Sequence, residues 1–139
     1  MNVLSLEQLL EIYALVVKAT GGSAGLRDLG RLEAAIAVQT QNVFGEELYP
    51  DLIDKAAALV RGVIADYPFV DGNKRTAMLA GLTLLEINGI RFAANPGEIE
   101  DFAVLVATDK LDVPSIVAWL REHTRFRAEN THSAATRRD

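Results

Sequence analysis

"DGNKRTAMLAGLTLLEINGI", residues 71–90, decides how this chain folds. From Ala77 to Ile87 only Thr83 and Glu86 are clearly polar. A segment with no solvent-facing stripe reads as a helix buried at the centre of a domain, here from about Asn73 to Asn88. Gly89 follows, a residue suited to the left-handed turn that ends helices. The start of the helix has the opposite character, with Asp71, Gly72, Asn73, Lys74 and Arg75 in consecutive positions. A helix start offers unpaired N–H groups and partial positive charge. Gly72 admits backbone turns that a side chain would forbid. Lys74 and Arg75 oppose the helix dipole, an unfavourable placement that a bound anion would explain. Asp71 would repel phosphate unless a divalent cation lay between them, and Mg²⁺ commonly binds through one carboxylate plus substrate phosphates. The loop therefore reads as a Mg²⁺–nucleotide phosphate site. The competing reading is plain capping by Asp71 and Asn73, with Lys74 and Arg75 solvated.

Helical spacing surrounds this segment on both sides. Leu6, Leu9, Leu10, Tyr13, Val16 and Val17 predict a first helix, capped by Ser5 and ended before Gly21 and Gly22. A second helix is expected over 29–41 and a third over 51–65, with Pro50 in its first turn. After the central helix, "IRFAANP" reads as an extended connector. Asn95, Pro96 and Glu98 predict the start of a fifth helix with an apolar stripe of Ile99, Phe102, Ala103 and Val106, and Asp112 and Pro114 that of a sixth. No stretch alternates with period two for long. The fold class expected is all-α: one domain over residues 1–126, about six helices around a buried central one, with a polar, disordered tail at 127–139.

The bulk numbers agree with that class. Of 139 residues, 50% are hydrophobic and 24% charged, the balance of a soluble globular domain. The absence of cysteine excludes disulfides and thiolate metal sites. A net charge of −5 argues against general nucleic-acid binding, which needs Lys and Arg to neutralise phosphates. No apolar run approaches the ~20 residues of a membrane span, and the N-terminal stretch lacks the basic region of a signal peptide. A cytoplasmic protein is expected.

The stretch "PFVDGNKRTA", 68–77, resembles the signature of the Fic/Doc family: His, any residue, Phe, two further residues, then Gly-Asn and basic residues. Lys74 after Asn73 resembles the Doc (death-on-curing) branch rather than the adenylylating branch, which usually has Gly there. "GGSAGLRDLGRLEAAI", 21–36, resembles the same branch, and the likeness spans roughly residues 4–123. It implies an ATP-dependent phosphotransferase toxin that modifies a threonine of translation elongation factor Tu and blocks translation. It also implies a Phd-like antitoxin whose C-terminal helix folds onto the toxin. By the same resemblance Asp71 would hold Mg²⁺, Asn73 would order the loop and contact phosphate, Lys74 and Arg75 would bind the phosphate chain of ATP, and Phe69 would anchor the loop in the core.

Two positions depart from the family pattern. Tyr67 stands where the family has His, the expected general base. A histidine with pKa near ~6.5 accepts protons at neutral pH, whereas a tyrosine near ~10 is almost entirely protonated. Ala65 stands where Doc relatives often carry Arg. Phosphate binding is expected to survive and the chemistry to be impaired or lost. Tyr67 is then an engineered detoxifying change, a natural variant, or a tyrosine activated by a neighbour. The alternative function is a catalytically dead Doc-like module that binds nucleotide or antitoxin.

Elsewhere Arg31 and Glu33, two apart, do not face each other on a helix; Arg31 is either a surface residue or one near a target groove. His123 suits a helix end, His132 the solvated tail, and Trp119 packing. Asp109, Lys110 and Asp112 read as a solvated turn. "FGEELYP", 44–50, is either a flap beside the site or a plain connector.

Overall fold

Ser5 starts the first helix as expected. In the computed structural model, which describes residues 1–126, the Ser5 hydroxyl accepts from the Gln8 N–H and the Gln8 side chain accepts from the Ser5 N–H. This reciprocal capping box opens α1 (Leu6–Thr20). At the start of α2 (Leu29–Ala37), Asp28 accepts from the Arg31 N–H. The chain then tightens into one 3-10 turn, Val38–Thr40, instead of staying α-helical to 41. Asp51 is the N-cap of α3 (Leu52–Asp66), so Pro50 precedes that helix and does not sit in its first turn. The remaining helices are α4 (Asn73–Ile87), α5 (Pro96–Asp109) and α6 (Val113–His123). A second capping box, Asn95 with Glu98, opens α5, and Asp112 caps α6 by accepting from the Ser115 N–H.

The central helix is α4, as its composition demands. α3 packs most extensively along it, with α1 and α5 on its flanks and α6 against the back of α3. Leu59, Val60 and Val63 of α3 meet Ala77, Ala80, Leu84 and Leu85 of α4 in the core, joined by Leu9, Val16, Phe102, Ile116 and Leu120. The two central helices come unusually close, because a Cβ on Gly81 would lie only 2.5 Å from Val60 Cγ2. Burial is nevertheless incomplete. Leu79 is 39% exposed, which leaves one edge of α4 open to a cleft.

Two short antiparallel pairs join the helices. β1 (Asn42–Val43) and β2 (Glu46–Glu47) form a hairpin, so part of the 44–50 segment is a short strand, and none of its residues borders a cleft. Lys55 of α3 is only 3% exposed, and its ammonium donates to the Gln39 carbonyl and, at 2.6 Å, to Glu47; that pair ties the hairpin to the bundle. β3 (Ile90–Phe92), within the predicted connector, pairs with β4 (Thr124–Phe126). Strands of two or three residues are too short to display alternation, so the sequence did not announce them. The fold class stands as expected, mostly helical with six α-helices among the described residues. The predicted tail and His132 lie outside the described residues. No described helix is long and apolar enough to cross a membrane.

Candidate functional site

The loop between α3 and α4 is built on Phe69. Its ring is buried and stacks on Tyr13 of α1 with centroids 3.8 Å apart and planes 5° from parallel. The segment 21–28 lies alongside it: Val70 N–H donates to the Gly25 carbonyl at 2.9 Å, and Arg27 N–H donates to the Pro68 carbonyl at 2.7 Å. The Tyr13 hydroxyl accepts from the Gly25 N–H at 2.7 Å. The two segments that carry the family resemblance are therefore in direct contact.

Asn73 fixes the other end of the loop. Its Oδ1 accepts from the Phe69 N–H at 3.0 Å and its Nδ2 donates to the Phe69 carbonyl at 2.9 Å. Both polar atoms of a buried backbone residue are satisfied by one amide. Asn73 is thus the first residue of α4 and not its cap. The N-cap is Gly72, in the left-handed conformation at φ 79°, and no side chain caps the helix. Asp71 turns its Oδ1 to its neighbour, accepting from the Gly72 N–H at 2.8 Å. The plain capping reading therefore fails, and the start of α4 keeps its first-turn donors. Beneath the loop the Thr76 hydroxyl is fully buried with no hydrogen-bond partner among the described residues.

This helix start opens into a cleft of about 930 Å³. Asp71, Gly72, Asn73, Lys74 and Arg75 all line it; α5 supplies the facing wall, and Met78, Leu79, Ile99 and Val104 form its apolar part. Gly22 borders it too: a Cβ there would come within 2.8 Å of Asp71 Oδ2, so only glycine leaves that carboxylate its place. Arg75 reaches across to Glu100 of α5 at 3.5 Å. Lys74 has no ion pair among the described residues. Among those residues no three His, Asp or Glu gather into a metal cage. Asp71 is the one carboxylate at the helix start, with Glu100 and Asp101 on the α5 side of the cleft; a single carboxylate beside two cations and free N–H donors suits Mg²⁺ carried in with phosphates, not a cation held by protein alone.

Tyr67 is placed elsewhere. It caps α3 in the left-handed conformation, φ 48°, and the residue is 49% exposed. It lines a second cleft, of about 390 Å³, with Arg61, Ile64, Ala65, Val106, Ala107, Lys110 and Leu111. None of these residues lines the larger cleft. The structure brings Asp71 through Arg75 together and sets Tyr67 and Ala65 on a neighbouring surface.

Arg31 and Arg27 serve the backbone here. Arg31 Nη1 donates to the Asp66 carbonyl at 3.0 Å, and Arg27 Nε donates to the Tyr67 carbonyl at 2.8 Å. They satisfy the C-terminal carbonyls of α3 and so hold the turn that carries Tyr67. Sequence reasoning missed Arg27; its position in the second resembling segment was the available signal. Trp119 packs as expected, stacked on Phe102 at 4.1 Å. His123 lies against Trp119 and beside Glu98 at 3.4 Å, lining neither cleft.

Comparison with known proteins agrees with this architecture. The Fic/DOC family pattern matches residues 3–85. The chain is 45% identical over 104 residues to the Toxin Doc of Mycolicibacterium smegmatis, covering 73% of this chain and 80% of that one. It is 33% identical over 121 residues to the Protein kinase doc of Escherichia phage P1, covering 87% of this chain and 94% of the relative. The family match includes α1, the 21–28 segment, the Phe69 loop and most of α4, the parts that build the phosphate-loop side of the larger cleft, and the chain belongs to the Fic/Doc family.

Proposed function

We propose that this protein is a cytoplasmic toxin of the Doc branch, a phosphotransferase that uses ATP and Mg²⁺ to modify a threonine of elongation factor Tu, and that Tyr67 leaves it impaired or inactive. The relatives' names, a toxin and a protein kinase, support the activity class. The observation that carries the reading is the gathering of Asp71, Gly72, Asn73, Lys74 and Arg75 at one uncapped helix start. ATP supplies the phosphoryl group to be transferred. Asp71 is the Mg²⁺ ligand, Lys74 and Arg75 bind the phosphate chain, and Asn73 holds the loop in register for it. Arg75 must exchange Glu100 for phosphate, a small cost because exposed ion pairs contribute about 0–1 kcal/mol.

Tyr67 explains the impairment. A phenol is a poor proton acceptor where an imidazole is a good one, and general-base help is typically worth about 10²–10⁴ in rate. The partner proposed is a Phd-like antitoxin whose C-terminal helix lies on the apolar wall of the larger cleft. Titration with Mg²⁺–ATP by calorimetry tests the site: binding should be measurable, and Lys74→Ala should weaken it about tenfold, the loss of one charge-assisted contact. Unchanged affinity in that variant would remove the loop from the account.

A second reading, a catalytically dead Doc-like module that still binds nucleotide or antitoxin, is favoured by the position of Tyr67 outside the larger cleft. Radiolabel transfer to purified elongation factor Tu separates the two. Label on a threonine supports the enzyme, and binding without label supports the module.

A further inference from the structure

We propose that the smaller cleft beside Tyr67 is an oxyanion-binding subsite, in which Arg61 and Lys110 hold a phosphate or carboxylate group over an apolar floor. It is independent of the phosphate loop, since the two clefts share no lining residue.

The cleft forms where the C-terminal halves of α3 and α5 meet. Ile64, Val106, Ala107 and Leu111 make the apolar surface, and three residues with polar side chains complete the lining: Arg61, Lys110 and Tyr67. None of the three has a side-chain hydrogen bond or ion pair among the described residues. No carboxylate lines the cleft, although the chain carries 19 acidic residues against 14 basic ones. Donors without acceptors over an apolar base are what an anionic ligand requires. Arg61 and Ala65 are four apart on one face of α3, and both line the cleft.

The backbone adds a second line of argument. Tyr67 and Lys110 are two of only three non-glycine residues with positive φ among the described residues, at 48° and 50°. Each ends its helix in the left-handed conformation, where glycine or asparagine would fit with less strain. Such outliers tend to collect at binding sites, and here both of these side chains line the same cleft. Asp112 is one carboxylate that feels the Arg61 charge. Its carboxyl is held below the usual range chiefly by hydrogen bonding from Ser115, with Arg61 a minor contributor. It is committed to capping α6 and forms no ion pair with Arg61.

The test is a pair of titrations of the uniformly ¹⁵N-labelled chain at constant ionic strength, one with inorganic phosphate and one with acetate, followed in ¹H–¹⁵N spectra. At least one anion should shift the amides of Tyr67, Lys110 and Leu111 along saturating curves. The Arg61→Gln/Lys110→Gln double variant should weaken that binding about tenfold, the loss expected of two partly exposed charge contacts. Lys74→Ala should leave it unchanged, which keeps the result separate from the fate of the nucleotide reading. Tighter binding of phosphate assigns the subsite to a phosphoryl group, and tighter binding of acetate to a carboxylate. No shift with either anion, shifts that survive the double variant, or shifts that vanish in Lys74→Ala would each overturn the proposal.

Discussion

Both ends of the Asn73 amide are committed to Phe69, so this residue holds the loop before it touches any ligand. Asn73→Ala would leave a buried N–H and a buried carbonyl unpaired, and should lower stability by about 2–4 kcal/mol in urea unfolding. In Asn73→Asp the carboxylate still accepts from Phe69 N–H but cannot donate to its carbonyl; once protonated it can do both. Its deficit relative to the natural sequence should therefore shrink as pH falls through the titration of that carboxyl, and a deficit independent of pH would contradict the two-bond account. Tyr67 is the other decisive residue. Its phenol reads from the sequence as a poor base, but nothing there says that it lines a cleft apart from the one that holds Asp71, because a left-handed cap on a non-glycine residue leaves no compositional mark. Tyr67→His should raise phosphotransfer to elongation factor Tu by about 10²–10⁴ and produce growth arrest on induction. If the Tyr67 chain is already fully toxic, the general-base argument ends, and an inert His variant would move suspicion to Ala65.

At the scale of elements, the legible features were those fixed by local chemistry. Ser5, Asn95 and Asp112 start helices because their side chains reach N–H groups three residues ahead, and an all-apolar stretch can only be central. The pairing of β3 with β4 was illegible, because it joins residues 90–92 to 124–126 and no local window contains both. Gly81 lay between these extremes. It reads as a weak spot in a helix, but its role appears only when Val60 is 2.5 Å from the missing Cβ. Gly81→Ala gains about 1 kcal/mol in helix propensity, yet overpacking typically costs about 1–3 kcal/mol. The net effect should be destabilising, and Val60→Ala in the same chain should recover part of it; additive losses in the double-mutant cycle would show that the contact does not matter. Asp112 gives a pH signature. Its folded pKa is depressed, mainly by hydrogen bonding from Ser115, so its contribution is present above the unfolded carboxylate value and is lost as pH falls through the lower folded one. Asp112→Asn keeps the cap and should flatten that part of the acid limb of the stability profile.

For the whole molecule the question is what covers the larger cleft, whose floor is polar at Asp71–Arg75 and whose wall along α4 and α5 carries Met78, Leu79, Ile99 and Val104 beside the carboxylates Glu100 and Asp101. Leu79 and Val104 remain 39% and 49% exposed there, an arrangement suited to the apolar face of an amphipathic helix. The sequence hinted at the floor through its motif. It did not show the wall, because Leu79 belongs to a stretch that reads as buried all round and only the placement of α5 leaves its edge open. If a Phd-like helix occupies this wall, a peptide of the antitoxin C-terminus should gain helix on mixing, read as a circular dichroism spectrum with more helix than the sum of the separate components. Leu79→Asp should abolish the gain while leaving the fold intact, since that side chain already meets solvent. Nucleotide and peptide would then meet in a cleft of about 930 Å³, with Arg75 and Leu79 on the same helix one turn apart. Saturating Mg²⁺–ATP should weaken peptide binding in calorimetry, and by linkage the peptide should weaken nucleotide binding by the same factor. Additive spectra would remove the helix from this wall. A helical gain that survives Leu79→Asp, with no effect of nucleotide, would place the antitoxin on another face of the bundle.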